Sequence, residues 1–336
     1  MTTPVTFDQP LSDEAMRHVL GGIMAGRMPP EEVRAFLTTL ARRGETAEEI
    51  AAAVGVLRAH AVALPLPAGL LLCDTCGTGG DGQGTINIST LAALVAAGAG
   101  VRVAKHGNRA ASSRCGSADL LEGLGVHLDA SPEAIVRSVQ EASFGFCFAP
   151  RFHPAMKAVA PIRKELKIRT LFNLIGPLAN PAPLAFQVVG VADAALLVPM
   201  AEALVRLGIR HGLVVHGADG LDEATTTGET VCREVRAGRV SEEQRLDAAR
   251  FGLPRAGLDD VRGGDVATNV RIAHDILAGR PGAASDIVAL NAGCAIYVAE
   301  QARTIEEGIA KARAAVASGR AAAVLEQVKT LSHAAG

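Results

Sequence analysis

The segment from residue 70 to residue 98 constrains this chain more than any other. An apolar run, Leu70-Leu71-Leu72-Cys73, leads into Asp74-Thr75-Cys76-Gly77-Thr78-Gly79-Gly80-Asp81-Gly82-Gln83-Gly84-Thr85 and then into a helical stretch from about Ser89 to Gly98. A buried strand, a loop crowded with glycine and a helix in that order form one half of a strand–helix–strand unit. Glycines without Cβ atoms let backbone N–H groups converge on an anion. Taken alone, such a loop can also be nothing more than a tight strand-to-helix turn. A dinucleotide loop fits poorly, because the glycine phase into the helix is wrong and no acidic residue ends a suitable second strand. No Gly-Lys-Ser/Thr closes the loop, which excludes a Walker motif.

The same texture recurs. Gly100–Ala104, Val188–Val191 and Gly212–His216 read as strands, with helices expected near 116–124 and over 194–207. This alternation predicts an α/β fold with a mostly parallel sheet flanked by helices. Residues 241–285 are more polar and less regular, and 287–331 read as mainly helical. Before residue 68 the period is different. Ser12 caps a helix carrying Met16, Leu20, Ile23 and Met24, and Pro29-Pro30-Glu31-Glu32 opens a second ending at Gly44. Thr46 and Glu49 have capping-box spacing for a third. Leu64-Pro65-Leu66-Pro67 then breaks the pattern, leaving a small helical unit.

Three further motifs surround the loop. Asn87-Ile88-Ser89-Thr90 stands where the helix begins, and polar side chains there can join the amide dipole in facing a phosphate. By itself this is also an ordinary helix cap. Past the second strand comes Lys105-His106-Gly107-Asn108-Arg109, then Ser112-Ser113 and Gly116-Ser117-Ala118-Asp119; Lys105 and Arg109 add charge to a loop otherwise made of small donors. After the strand at 212–216 comes Asp219-Gly220-Leu221-Asp222-Glu223. Adjacent carboxylates repel unless protons or a cation intervene, and Mg²⁺ takes one or two carboxylates together with phosphate oxygens. Strand carboxyl ends are where ligands bind in open parallel sheets. Together the loops suit a ligand with two phosphate centres.

Composition closes other routes. A formal net charge of -2 and 3% aromatic residues, with no Trp, leave neither a general polyanion surface nor stacking platforms for single-stranded nucleic acid. The beginning of the chain lacks a basic segment followed by an apolar run, and 91–104 is too short to span a bilayer; a cytoplasmic protein without membrane partners is expected. Six scattered cysteines do not suggest a disulfide framework. Cys73 and Cys76 have CxxC spacing, but with no second pair or histidine partner they read as small buried hydrophobes.

Gly77–Asp81, Asn87–Thr90, Lys105–Arg109, Gly116–Asp119, the run from Arg151 to Pro181 and Asp219–Glu223 resemble the anthranilate phosphoribosyltransferases. The likeness spans nearly the whole chain, including the N-terminal helices and Asn291-Ala292 near its end. It implies transfer of the phosphoribosyl group of phosphoribosyl pyrophosphate (PRPP) to the amine of anthranilate, with release of pyrophosphate, in tryptophan biosynthesis. It also implies a homodimer, and a helical domain of residues 1–68 plus an excursion near 160–185. The α/β domain would comprise 69–159 and 186–336, with the active site in the cleft between the two. PRPP would be held by Gly77, Gly80, Asp81, Thr85, Asn87, Ile88, Ser89, Thr90, Lys105, His106, Gly107, Asn108, Arg109, Ala110, Ala111, Ser112, Ser113 and Ser117. Anthranilate would meet Gly77, Asn108 and Arg163, with His106, His153 and Gly176 nearby. Ser89, Asp222 and Glu223 would contact Mg²⁺, and no dedicated general base is expected. The competing readings are a pyrimidine nucleoside phosphorylase-like enzyme, in which phosphate fills the loops, and a nucleic-acid-binding relative of the fold. The second should show a basic groove and damaged motifs, and the chain has neither.

Overall fold

A computed structural model describes residues 7–110 and 113–334. The chain begins with three helices, α1 (Asp13–Met24), α2 (Pro30–Arg43) and α3 (Ala47–Ala59). Ser12 Oγ accepts the Ala15 N–H ahead of α1, Thr46 and Glu49 form the reciprocal capping box of α3, and Gly44 follows α2. The apolar stripes of these helices, Met16, Leu20, Ile23, Phe36, Leu37, Leu40, Ile50 and Val54, are fully or almost fully buried.

The α/β part is β1 (Cys73–Gly77), α4 (Ile88–Gly98), β2 (Val103–Gly107), α5 (Ser117–Gly123), α6 (Pro132–Ala142) and β3 (Phe144–Phe148). A second helical stretch follows, α7 (Ala149–Phe152), α8 (Ala160–Leu166) and α9 (Leu171–Leu178), in which α8 packs on α2 and α9 on α2 and α3. The sheet resumes with β4 (Phe186–Gly190), α10 (Leu197–Arg206), β5 (His211–Gly217), β6 (Glu229–Arg236), β7 (Arg239–Val240) and β8 (Gln244–Asp247). Helices α11 (Val266–Leu277), α12 (Ala283–Val298), α13 (Ile305–Ala317) and α14 (Arg320–His333) complete the described chain.

The sheet order is β3-β2-β1-β4-β5-β6-β7, with β8 also on β6; β3 to β5 run parallel and β6 to β8 antiparallel. Successive strand residues feed opposite cores. Val188, Leu213 and Val215 pack with α4 and α12, whereas Val189 and Val214 pack with α10 and the N-terminal helices.

Several boundaries differ from those expected of the sequence. The first strand lies at 73–77 rather than 70–73, because its ladder starts where Cys73 meets Phe186 and Val103, and Leu71 stays exposed. The second lies at 103–107 rather than 100–104, in register with β3. Lys105, His106 and Gly107 therefore belong to a strand, not to the loop after it. The stretch 194–207 opens as a short 3₁₀ turn before α10, and the more polar 241–285 contains β8 and α11. The α6–β3 unit and the antiparallel edge add to the elements that the sequence pattern marks.

Candidate active site

Strands β1, β2, β4 and β5 all end in glycine, and their loops fold down over this edge. A Cβ on Gly77 would collide with Asp222 Oδ2, and one on Gly190 with the Asp222 carbonyl oxygen. Without side chains at these two positions, the acidic turn rests directly on the ends of β1 and β4.

That turn is tied to the glycine loop. Asp222 Oδ2 accepts the Gly79 N–H at 2.7 Å, Glu223 Oε1 accepts the Ser89 N–H at 3.1 Å, and Gln83 Nε2 donates to the Asp219 carbonyl at 3.1 Å. Asp81 Oδ1 accepts the Gln83 N–H. The far end of the loop is held by residues 261–263: Thr85 bridges Arg262, and Ile86 N–H donates to the Val261 carbonyl. Burial, then the charge of Asp81, pushes the Asp222 carboxyl up to about 7; burial, then Asp222, pushes Glu223 up to about 8 despite the opposing pull of Lys105.

Lys105 is buried, with Nζ 2.5 Å from the Thr75 carbonyl and 3.5 Å from Ser89 Oγ. Asn87 opens α4, and its amide is shared between the Cys115 carbonyl and Asn269 of α11. Ile88 and Thr90 are buried in the first turn. Gly107 ends β2 against Ser117, whose hydroxyl donates to the Asn108 carbonyl. The Ala110 N–H donates to Asp119, and Ser113 Oγ lies within reach of the Cys115 carbonyl. Gly80 and Asn108 are solvent-exposed on their loops. Ala111 and Ser112 lie outside the described residues. The Arg109 guanidinium, expected to add charge to this loop, is bound by Asp119 and Glu122 of α5 at 2.7–2.9 Å.

Next to these loops a cavity of about 440 Å³ opens between the strand ends and helices α7, α8 and α9. Gly77, His106, Asn108, His153, Arg163 and Gly176 all line it, so the residues assigned to an aromatic acceptor converge on one space. Arg163 reaches it from α8 with its guanidinium over the Phe172 ring, 5.4 Å from the centroid. Burial lowers the basicity of Arg163, and no carboxylate pairs with it among the described residues. His106 and His153 meet edge to face with centroids 5.1 Å apart, and the Nε2 atom of each is buried without a partner among the described residues. Burial, then His153, pushes His106 down to about 3; burial also lowers His153. Both are neutral near pH 7.

The support beneath this cavity has no signature in the sequence. Asp74, which reads there as the first residue of the loop, is a fully buried carboxylate in β1. It accepts Asn180 Nδ2 at 2.8 Å and the His106 N–H at 3.3 Å, and burial pushes it up to about 6 against the pull of Lys105. Asn180 also bonds the Ala104 carbonyl, pinning the return of the chain from α9 to the sheet. Phe172 and Asn173 line the cavity as well. Asn180, Phe172 and Asn173 stand within the run from 151 to 181, but nothing local marks the contacts that Asn180 makes 76 and 106 positions away.

Residues 70–322 match the model of the glycosyl transferase family, a/b domain, and residues 5–61 that of the glycosyl transferase family, helical bundle domain. An anthranilate phosphoribosyltransferase of Rubrobacter xylanophilus is 50% identical over 325 residues, covering 96% of this chain and 94% of that protein. The crystal structure of the Thermus thermophilus anthranilate phosphoribosyltransferase superposes with a TM-score of 0.92 at 47% identity, covering 97% of each chain. The Saccharomyces cerevisiae enzyme in complex with PRPP and Mg superposes with a TM-score of 0.88 at 29% identity, covering 96% of this chain and 93% of that one.

Proposed function

The chain belongs to the anthranilate phosphoribosyltransferase family of glycosyl transferases, and from that premise we propose that its strand-end loops hold PRPP while the adjoining cavity holds anthranilate. The reaction forms a bond from the anthranilate nitrogen to the anomeric carbon of the ribose and breaks that carbon's bond to pyrophosphate. The single observation that carries the assignment is the adjacency of two unlike sites: a backbone-rich anion cradle, and an apolar cavity holding an arginine without a carboxylate partner among the described residues.

Arg163 binds the anthranilate carboxylate, since a guanidinium matches it with two parallel hydrogen bonds. The aromatic amine is neutral at pH 7 and needs no base to attack. Asn108, His106 and His153 orient it, the histidines as neutral hydrogen-bonding groups. The N–H groups of the first turn of α4, the loop amides and Lys105 face the charge that gathers on the departing pyrophosphate. Closure of the helical part over bound substrates would exclude water that otherwise hydrolyses the donor.

Asp222, Glu223 and Ser89 are the residues that would hold Mg²⁺. The fit rests on two carboxylates whose proton affinities are raised by burial and by neighbouring acids, so that a cation satisfies a repulsion already present. When bound, the ion supplies neutralising charge for the pyrophosphate. The reading extends by resemblance to a homodimer in the cytoplasm; none of the described helices is long and apolar enough to cross a membrane.

A fluorescence assay following anthranilate, with PRPP and Mg²⁺ added together and omitted in turn, tests the assignment. Consumption should require both. Turnover of pyrimidine nucleosides with phosphate, and none of anthranilate with PRPP, would replace it with the phosphorylase reading.

A further inference from the structure

Asn291 lies on α12, remote in sequence from every loop of the site, and its side chain is buried. Its amide grips the backbone on both sides of Ala224: Oδ1 accepts the Ala224 N–H at 3.0 Å, and Nδ2 donates to the Ala224 carbonyl at 2.7 Å. Nδ2 also donates to the Ile287 carbonyl one turn back along α12, which fixes the orientation of the amide. The Ala224 N–H belongs to the peptide plane that carries the Glu223 carbonyl, so the clamp sets the plane from which the Glu223 side chain departs. The same turn also lies on Gly77 and Gly190, with no space even for a methyl group. The acidic pair is thus in contact both with the clamp from α12 and with the strand ends.

We infer that Asn291 is a positioning residue for the metal-binding acidic pair, acting through the Ala224 backbone to hold Asp222 and Glu223 in one geometry. This rests on the reading that these two carboxylates bind the divalent cation. Buried peptide groups need partners wherever they occur, and that need alone predicts only lost stability when Asn291 is changed. A positioning role predicts more. Residues that orient metal ligands without touching the metal typically alter affinity by about 10- to 100-fold when removed.

The test uses the full-length protein and Mn²⁺ with pyrophosphate, Mn²⁺ being followed by electron paramagnetic resonance and activity by titration with Mg²⁺. The variants are Asn291→Ala, the isosteric Asn291→Asp, the double change Asp222→Asn with Glu223→Gln, and Ser138→Ala. Ser138 donates to the Phe144 carbonyl far along the chain from the acidic turn, so its loss is a purely structural insult. Asn291→Ala should weaken Mn²⁺ binding by about 10-fold or more and raise the Mg²⁺ needed for half-maximal rate to match, with the anthranilate KM little changed. Ser138→Ala should lower the melting temperature and leave both metal titrations in place. Metal binding that survives the Asn291 changes but is lost in the acidic double variant overturns the positioning role alone. Binding that survives the double variant overturns the metal assignment beneath it. Failure of both Asn291 variants to fold also overturns the inference, since the clamp would then be a requirement of the fold rather than of the site.

Discussion

Glu223 and Ser89, 134 residues apart in sequence, are joined by a 3.1 Å hydrogen bond from the Ser89 N–H to the Glu223 carboxylate. An N-terminal amide of α4, the natural seat for a phosphate, is thereby matched to a carboxylate that needs a cation. On the assignment proposed above, the donor site and the metal site therefore meet at this one contact.

Arg163 sets the first expectation. Arg163→Ala should raise the anthranilate KM by about 10- to 100-fold, the worth of a charge-assisted hydrogen bond, and the PRPP KM far less. Initial-rate kinetics with each substrate varied in turn measures the split. Equal effects on the two would remove Arg163 from the acceptor.

Acid stability follows from the histidine pair. His106 titrates at about 3 in the folded protein against an ordinary value of 6.5, so the unfolded chain binds the extra proton across that interval. A depressed histidine therefore favours the fold above pH 6.5, and this contribution is withdrawn as pH falls toward 3, by about 1.4 kcal/mol for each unit per proton. Urea midpoints from about pH 7 to pH 4 should fall less steeply for His106→Gln than for the parent protein. Identical slopes would show that His106 does not titrate as a buried neutral group.

Gly190 offers a steric test. Gly190→Ala places a methyl against the Asp222 carbonyl, so the turn must move. Stability should drop by about 1–3 kcal/mol, the usual cost of overpacking, with turnover falling in parallel. A variant as active and as stable as the parent would show that the turn does not rest on β4.

The N-terminal helices can be examined separately. Glu49 is fully buried and accepts from Arg43, the Leu11 N–H and the Thr46 N–H. Burial pushes its carboxyl upward, but these partners outweigh burial and hold it below the ordinary value. Glu49→Ala leaves Arg43 without its carboxylate, with only the Phe7 and Gly44 carbonyls as partners, and should cost about 3 kcal/mol, read from denaturant unfolding. A loss below about 1 kcal/mol would mean that the arginine finds water instead.

Local rules make much of this molecule legible. The caps at Ser12 and Thr46, the apolar stripes of α1 to α3 and the strand–helix alternation need no distant information. Strand limits are harder to read, because β1 and β2 carry Asp74, Thr75 and Lys105, polar residues whose partners lie in other segments. A search for apolar runs therefore settles on Leu70–Cys73 and on 100–104, which reach only the first residues of the ladders. Strand β6 escapes such a search because charged residues, Glu229, Arg233, Glu234 and Arg236, punctuate it. In the site, the residue types name the chemistry, whereas Asp74 with Asn180 and Asn291 with Ala224 are pairings that only the folded chain creates.

The strand-end glycines divide the labour of selectivity. On the proposed assignment, the rim beneath the donor is main chain at Gly77 and Gly190, which point substitution can obstruct but hardly retune. The acceptor's surroundings are side chains, Arg163, Phe172, Met156 and their neighbours, each exchangeable without disturbing the sheet. Engineering toward a different amine should therefore begin on α8 and α9 and leave the sheet's rim alone.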